Sequence, residues 1–179
     1  MNSRFALPAR LAARPFDVRR GLPVPYVSES DTGEVDFGRL DPRRVLRCGL
    51  EQLCSACGQP HEESVAFIGG PGGFAQRRYT DPPLHLECAQ WSLALCPYLA
   101  AQQHRRRRNT GADLTPGFIE AEKADPLILA VAAGFALGGR IGADKATTLE
   151  FYPRPWIAAF RFDYTSDGRL AETGPVDLF

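Results

Sequence analysis

The sequence predicts a single α+β domain, and three observations in the 179-residue chain support this prediction. Asp41-Pro42 and Asp81-Pro82 each predict the start of a helix, because aspartate caps helices and proline suits their first turn. Apolar and polar residues alternate over 156–164, which predicts a half-buried strand in a C-terminal antiparallel sheet. Between these features lie two short pairs of cysteine and histidine residues whose spacing is typical of a metal site.

Composition and charge narrow the class of protein. Hydrophobic residues make up 44 % of the chain, as in ordinary globular proteins, and 21 basic residues balance 21 acidic ones. A nucleic-acid-binding domain of this size is more often strongly basic. The chain has no apolar run of 18 residues, so no membrane-spanning helix is expected. Arg4, Arg10 and Arg14 give residues 1–16 a basic character, but Pro8 and Pro15 interrupt any long amphipathic helix. A cytoplasmic protein with a basic leading arm is therefore predicted.

The two pairs provide a complete set of ligands for Zn²⁺. Three thiols and one imidazole form a tetrahedral donor set, and they are supplied by Cys54, Cys57, His85 and Cys88. Gly58 follows the first pair and permits the left-handed backbone that such metal-binding turns favour. The chain has five cysteines, an odd number that argues against a disulfide framework. The alternative interpretation is that these are four ordinary buried residues without a metal.

The number of ligands favours a structural zinc ion, because four protein ligands leave no open position to activate water. His61 and Cys96 are competing ligands, although His61 is expected to face solvent and Cys96 to end a helix. Cys48 is expected to pack as a small hydrophobic residue. A catalytic zinc ion would need a nearby acid or base, for which the sequence offers only Glu62, Glu63 and Glu87.

Element signals divide the chain into four parts. Residues 1–40 form an extended arm with short strands around Val27 and Val35, and residues 41–103 form the zinc-binding core. Residues 104–117 are a basic connector, and residues 118–179 are a β-rich part that packs with the core as one domain. Within the core, residues 64–68 read as a strand. Residues 69–73 read as a glycine-rich hairpin turn, and residues 74–80 as the returning strand.

Three further segments have signals of secondary structure. The second helix begins at 81–83, and Pro97 ends it or restarts a short helix. Residues 127–137 fit either a helix or a buried strand. Residues 148–152 and 156–164 are strands, followed by a turn at 165–168.

Residues 50–96 contain three predicted features in order. They are a metal-binding turn, a hairpin and a ligand pair that opens a helix. In this stretch the chain resembles the treble-clef zinc fingers. The resemblance implies a treble-clef core around the zinc ion. The nucleases that share this fold carry a second, open metal site built from a histidine-rich motif, and no such motif is present in this sequence.

Several segments also resemble a group of uncharacterised phage and bacterial proteins. They are 36–37, 40–42, 53–58, 66–71, 82–89 and 96–99. The resemblance covers roughly residues 20–165, and no activity is established for that group. It implies that His85 is a ligand position, that the segment from Leu127 is a strand, and that Cys96 stays a candidate site residue. The glycines after Pro71 and the absence of a bulky residue beside Cys54 depart from the pattern of the group.

The four consecutive arginines at 105–108 form one dense charge run, and this run is the main indication of a partner. Candidate nucleic-acid or anion contacts are Arg77, Arg78, Arg105, Arg106, Arg107 and Arg108. The run is either a phosphate-contacting patch or the solvated end of a helix. Arg77 and Arg78 either extend a basic surface beside the metal or balance the negative charge of the thiolates. The leading hypothesis is a non-enzymatic module that binds nucleic acid or a protein. The alternatives are a small enzyme with a pocket between the zinc core and the C-terminal sheet, and a scaffold in a phage or bacterial assembly.

Overall fold

A computed structural model describes residues 6–102, 124–141 and 147–178. It contains five α-helices and eight strands within these ranges. The helices are α1 (Ala9–Ala12), α2 (Pro42–Leu50), α3 (Pro71–Gln76), α4 (Leu86–Leu95) and α5 (Pro97–Ala100). The strands are β1 (Phe16–Asp17), β2 (Leu22–Pro23), β3 (Val65–Gly69), β4 (Leu127–Ala132), β5 (Phe135–Ile141), β6 (Thr147–Pro153), β7 (Trp156–Tyr164) and β8 (Leu170–Pro175). The predicted α+β class is confirmed.

Strands β3 to β8 form two antiparallel sheets. Four strands pair in the order β3-β4-β7-β8, and β5 and β6 form a separate hairpin. Every residue of β4 is buried, because β3 and β7 pair with its two edges and α4 and α3 pack on its two faces. Phe67 of β3 and Phe151 of β6 lie in one apolar cluster with Val45 and Cys48 of α2. The main core therefore lies between α2, the four-stranded sheet and the β5–β6 hairpin.

Helix α2 begins as the sequence predicts. The Asp41 carboxylate accepts hydrogen bonds of 3.0 Å from the backbone N–H groups of Arg43 and Arg44. Pro42 occupies the first turn, where its missing N–H leaves no hydrogen bond unmade. Val45 and Cys48 are fully buried on the inner face of the helix. Cys48 thus packs as a small apolar side chain, which confirms its expected role.

The predicted hairpin after β3 is wrong. Residues 71–76 form α3 instead of a turn and a returning strand, with Gly70 before the helix and Pro71 in its first turn. Phe74 anchors α3 on the sheet, because its ring stacks on Trp156 at a centroid distance of 5.2 Å. Strand β3 pairs along its whole length with β4, far away in sequence. The interpretation of 127–137 as strand rather than helix is confirmed by β4 and β5.

The second predicted helix starts later than expected. Residues 81–83 are not helical, and α4 begins at Leu86 with His85 at the N-cap. Leu84 is extended because its N–H and C=O both pair with Ala66 of β3, at 2.8 Å each. Pro97 restarts a short helix, α5, as one of the two alternatives proposed.

The arm and the C-terminus also differ in detail from expectation. Tyr26–Ser28 is a 3₁₀ helix rather than a strand, and Val35 makes only an isolated bridge with Glu29. At the other end the turn at 165–168 is confirmed by a 2.8 Å hydrogen bond from the N–H of Gly168 to the carbonyl of Thr165. Strand β8 follows that turn and was not predicted from the sequence.

Candidate metal centre

The first ligand pair lies in a tight turn held by backbone hydrogen bonds. Cys54 N–H donates to the Gln59 carbonyl at 2.9 Å, and Gly58 N–H donates to the Cys54 carbonyl at 2.8 Å. Gly58 has a φ of +75°, which a residue with a side chain adopts only with strain. Tyr26 N–H donates to the Ala56 carbonyl at 2.8 Å, so the N-terminal arm supports the turn from outside.

The second pair lies at the start of α4 and is joined directly to the first. Ser55 N–H donates to the Pro83 carbonyl at 3.0 Å, and His85 N–H points at the Cys54 sulfur at 3.3 Å. His85 is the N-cap residue of α4, and Cys88 lies in its first turn. The positive end of a helix favours thiolate at this position.

The structure brings the four predicted ligands together in one buried cluster. The potential ligand atoms of Cys54, Cys57, His85 and Cys88 all lie within 4.8 Å of one another. Both Cys54 and Cys88 are 0 % exposed, and the other two are also buried. Such a group of soft sulfur donors with one imidazole could hold a metal ion, and it suits the tetrahedral preference of zinc.

The hydrogen bonds of His85 fit a metal ligand. Its Nδ1 lies 3.3 Å from the Cys57 sulfur, on the side of the cluster. Its Nε2 lies 3.0 Å from the Pro60 carbonyl, which can only accept, so Nε2 carries the proton and donates. The lone pair of Nδ1 is then directed toward the sulfurs. Metal-binding histidines usually fix their orientation by donating the other ring N–H to a carbonyl in this way.

The electrostatics of the cluster favour a bound cation. Burial opposes ionisation of Cys54, but hydrogen bonds from the Cys57 and Cys88 thiols outweigh it and lower the Cys54 pKa. The resulting thiolate accepts from Cys57 and raises the pKa of that thiol to about 11. It also raises the pKa of Cys88. Ionising all three thiols together is therefore unfavourable unless a positive charge lies between them, and a bound dication would provide that charge.

Two arm residues that the sequence did not single out lie on the cluster. Leu11 is 2 % exposed and packs with Cys54, Ala56, Cys57 and Cys88. Arg10 lies beside His85 and forms ion pairs with Glu62 at 2.7 Å and Glu87 at 2.9 Å. Nothing in the local sequence distinguishes Arg10 from the other arginines of the arm, so only the tertiary structure identifies it.

The competing ligands lie outside the four-residue cluster. Cys96 is the C-cap of α4, in line with its expected place at the end of a helix. The expectation that His61 faces solvent is wrong, because its ring packs 4.9 Å from the His85 ring and 6.1 Å from Phe135. Burial lowers the pKa of His61 to about 4, so the ring is neutral at physiological pH. Its nitrogens have no well-formed hydrogen bond within the described part of the chain, although the Leu53 carbonyl lies near.

The acids considered as catalytic groups have other surroundings. Glu62 and Glu87 both pair with Arg10, and Glu63 lines a cavity of about 390 Å³. His61 and Gln52 line the same cavity on one side, and Gly134 and Arg154 line it on the other. The cavity thus lies between the metal-binding turn and the loops that join the strands of the C-terminal half.

The predicted basic contacts are only partly within the described residues. Arg77 is the residue after α3, with its guanidinium 5.6 Å from the centre of the Trp156 ring. Arg78 donates to Gln76 at 2.8 Å and lies 3.8 Å from the buried carboxylate of Glu150. These contacts join the arginines to the sheet rather than to the metal cluster. Arg105, Arg106, Arg107 and Arg108 lie outside the described residues.

Comparisons with known proteins assign neither a family nor a fold. Neither a scan against models of protein families nor searches of curated proteins and of solved structures gave a match. The resemblances to treble-clef fingers and to the phage and bacterial group therefore stay predictions. Among the described residues, no helix has the length and apolar character needed to span a bilayer.

Proposed function

We propose that the protein binds one zinc ion at Cys54, Cys57, His85 and Cys88, and that this ion has a structural role. The single observation that carries the proposal is the buried cluster of three sulfurs and one correctly oriented imidazole. These four donors complete a tetrahedral site, so no position remains for a water nucleophile. The ion would join the metal-binding turn to the start of α4, and its binding free energy would contribute directly to folding.

The core around this ion is proposed to be a reduced treble clef. A metal-binding turn precedes a strand, and the second ligand pair opens a helix, as in that fold. The usual hairpin is reduced to the single bridge between Ala66 and Leu84, because β3 has β4 as its main partner and α3 fills the connection.

Metal content tests the structural-zinc proposal directly. Native mass spectrometry of the purified protein should show one zinc ion per chain, and denaturing conditions should remove it. Replacing Cys54 or Cys88 by serine should abolish the stoichiometric metal, whereas replacing Cys96 by serine should preserve it. A wild-type protein without metal after growth in zinc-supplemented medium, or a Cys88→Ser variant that retains one zinc ion, would contradict the proposal.

For the module as a whole, we propose a non-enzymatic role in binding nucleic acid or a protein partner in the cytoplasm. The support is the charge run Arg105–Arg108 in the sequence, together with the exposed position of Arg78, whose side chain is 42 % exposed. If phosphate contacts contribute, binding to single- or double-stranded oligonucleotides should weaken with salt, and alanine at positions 105–108 should reduce the salt slope. Equal binding by that variant and the wild type would exclude the nucleic-acid version.

A small enzyme is the second candidate, and the cavity between the metal-binding turn and the C-terminal half favours it. Its walls combine the neutral imidazole of His61 with the guanidinium of Arg154 and the carboxylate of Glu63. A small molecule that copurifies with the wild type but not with Arg154→Ala, detected in the same native spectra, would support this candidate. A protein that copurifies with zinc alone would favour the binding module.

A further inference from the structure

The N-terminal strap, defined here as α1 with Arg10 and Leu11, lies directly against the proposed zinc site. We propose that this strap closes the site and sets the rate at which zinc leaves it. The inference rests on the structural-zinc proposal and adds a regulatory element to that same site. It assigns to the arm a role in metal exchange that is separate from folding of the main core.

Leu11 provides the apolar part of the closure. Its side chain is 2 % exposed although it belongs to a four-residue helix near the chain terminus. Leu11 forms one apolar cluster with Cys54, Ala56, Cys57 and Cys88, and three of these residues are proposed zinc ligands. Leu11 therefore covers the sulfurs on this side, and a chelator gains access from this side only when the strap moves.

Arg10 provides the polar part of the closure. Its Nε donates to Glu87 at 2.9 Å, its Nη2 donates to Glu62 at 2.7 Å, and its Nη1 lies 3.4 Å from the Gln59 side-chain oxygen. These partners belong to both halves of the site, because Gln59 and Glu62 follow the first ligand pair and Glu87 lies within the second. The planar fork of arginine suits such divergent contacts better than a lysine ammonium group.

Charge balance gives Arg10 a second reason to stay in place. A zinc ion with three thiolates and a neutral imidazole carries a net charge of about −1. The Arg10 Nη1 atom lies 3.4 Å from His85 Nε2, at the edge of this charged group. The guanidinium therefore lies against a group of opposite net charge in the zinc-bound protein, and this attraction favours the closed strap.

The strap is also built to open independently of the core. Helix α1 has four residues, too few for a helix to be stable alone. The next anchor along the chain is Arg14, which donates to the Val24 carbonyl at 3.0 Å and to Glu29 at 2.6 Å. Opening of residues 9–12 breaks two ion pairs with exposed carboxylates and exposes one buried leucine, which costs little free energy compared with unfolding of the sheet.

Chelator-driven release of zinc from the full-length protein tests the inference. Zinc-loaded protein is mixed with excess EDTA or a coloured chelator, and the rate of metal transfer is recorded. Arg10→Ala should release zinc about three- to tenfold faster than the wild type, the change expected from losing two partly exposed ion pairs. Leu11→Ala should also accelerate release. Arg10→Lys, which keeps the charge but loses the fork, should fall between Arg10→Ala and the wild type.

Two controls separate the strap from general destabilisation. Arg43→Ala removes an arginine whose side chain is 81 % exposed on α2, and it should leave the release rate unchanged. Phe67→Ala destabilises the main core without touching the strap, and should accelerate release less than Arg10→Ala does. Equal rates for Arg10→Ala and Arg43→Ala would overturn the strap, as would faster release from Phe67→Ala than from Arg10→Ala. A wild type that binds no zinc would overturn both proposals, whereas zinc binding with unaltered release rates would overturn the strap alone.

Discussion

The metal-centred region and the sheet region of this molecule are held together in different ways. In the sheet region, β4 is buried at every residue and hydrogen-bonded along both edges. In the metal-centred region, the buried cluster consists of Leu11, Ala56 and three cysteines, with Leu84 and Trp91 at its border. Large apolar side chains are few there, so burial contributes little free energy per residue. The proposed zinc ion would thus supply, in the metal-centred region, the free energy that apolar packing supplies in the sheet region.

The two regions nevertheless share elements. Strand β3 belongs to the sheet and also pairs at Ala66 with Leu84, the residue before His85. Helix α4 begins at the ligands and packs Ala89 and Leu93 against Leu127 and Leu129 of β4. A disturbance of the metal site should therefore reach the sheet through α4, and the size of that effect is a measurable quantity.

Metal removal should give the largest difference in stability between the metal-centred region and the sheet region. Structural zinc sites provide on the order of 10 kcal/mol of binding free energy, so chelation should lower the thermal midpoint by more than about 10 °C. Hydrogen exchange should show the loss of protection in α4 and residues 54–60 first, and in β4 last. Circular dichroism and exchange mass spectrometry with and without EDTA make the measurement. Uniform loss of protection in both regions would show that they unfold as one unit.

Removal of a large core side chain should instead destabilise the sheet region and leave the zinc site occupied. Phe67 is 1 % exposed and lies 4.7 Å from the Tyr79 ring centre and 6.2 Å from that of Trp156. Phe67→Ala should lower the free energy of unfolding by about 3–5 kcal/mol, because it leaves a cavity in this aromatic cluster. The variant should still bind one zinc ion per chain, as measured by native mass spectrometry. Loss of zinc in the folded variant would show that the sheet determines the site geometry.

Two glycines with positive φ separate backbone strain from packing. Gly58 has a φ of +75°, and an added Cβ would lie 2.7 Å from the Tyr26 ring. Gly33 has a φ of +81° and no atom within 4 Å of such a Cβ. Gly33→Ala should cost about 1–2 kcal/mol from backbone strain alone. Gly58→Ala should cost about 2–4 kcal/mol, because the contact adds to the strain.

The same pair also tests whether the effect is specific to the metal site. Gly58→Ala should weaken zinc binding in chelator competition, whereas Gly33→Ala should leave the affinity unchanged. Denaturant unfolding of both zinc-loaded variants measures the two costs. Equal losses of stability with equal zinc affinities would mean that the turn at Gly58 relaxes around the added methyl group.

The sequence predictions are correct where the interactions are local along the chain, and they are wrong where the partners are distant in sequence. The ligand pairs and the capping of α2 by Asp41 depend on residues within a few positions of one another, so their spacing reveals them. The partner of β3 is more than 55 residues away, between Leu127 and Ala132, and local pattern favoured a hairpin instead. Gly72 and Gly73 favour a turn by propensity, but Pro71 and the burial of Phe74 against Trp156 make the segment helical.

The start of α4 shows the same limit on a smaller scale. Asp81-Pro82 has the local signature of a helix start, yet Leu84 is drawn into an extended conformation by its pairing with Ala66. His85 consequently becomes the N-cap rather than a residue of the helix interior. The strap has no local sequence signal for the same reason, because the partners of Arg10 and Leu11 are more than 40 residues away.

The smallest expected effect comes from α3, a helix that contains two glycines. Gly72 lies in the first turn, and an added Cβ would meet no atom within 4 Å. Gly72→Ala should therefore raise the free energy of unfolding by about 0.5–1 kcal/mol, because alanine loses less backbone entropy in a helix. The matched change Gly73→Ala places its Cβ 3.3 Å from the Arg78 carbonyl oxygen. It should therefore stabilise the protein less than Gly72→Ala, or destabilise it. Thermal unfolding should show a rise of about 1–4 °C for Gly72→Ala. Zinc release should keep its wild-type rate, because α3 packs on the sheet through Phe74. A faster or slower release from Gly72→Ala would assign α3 to the metal-centred region instead.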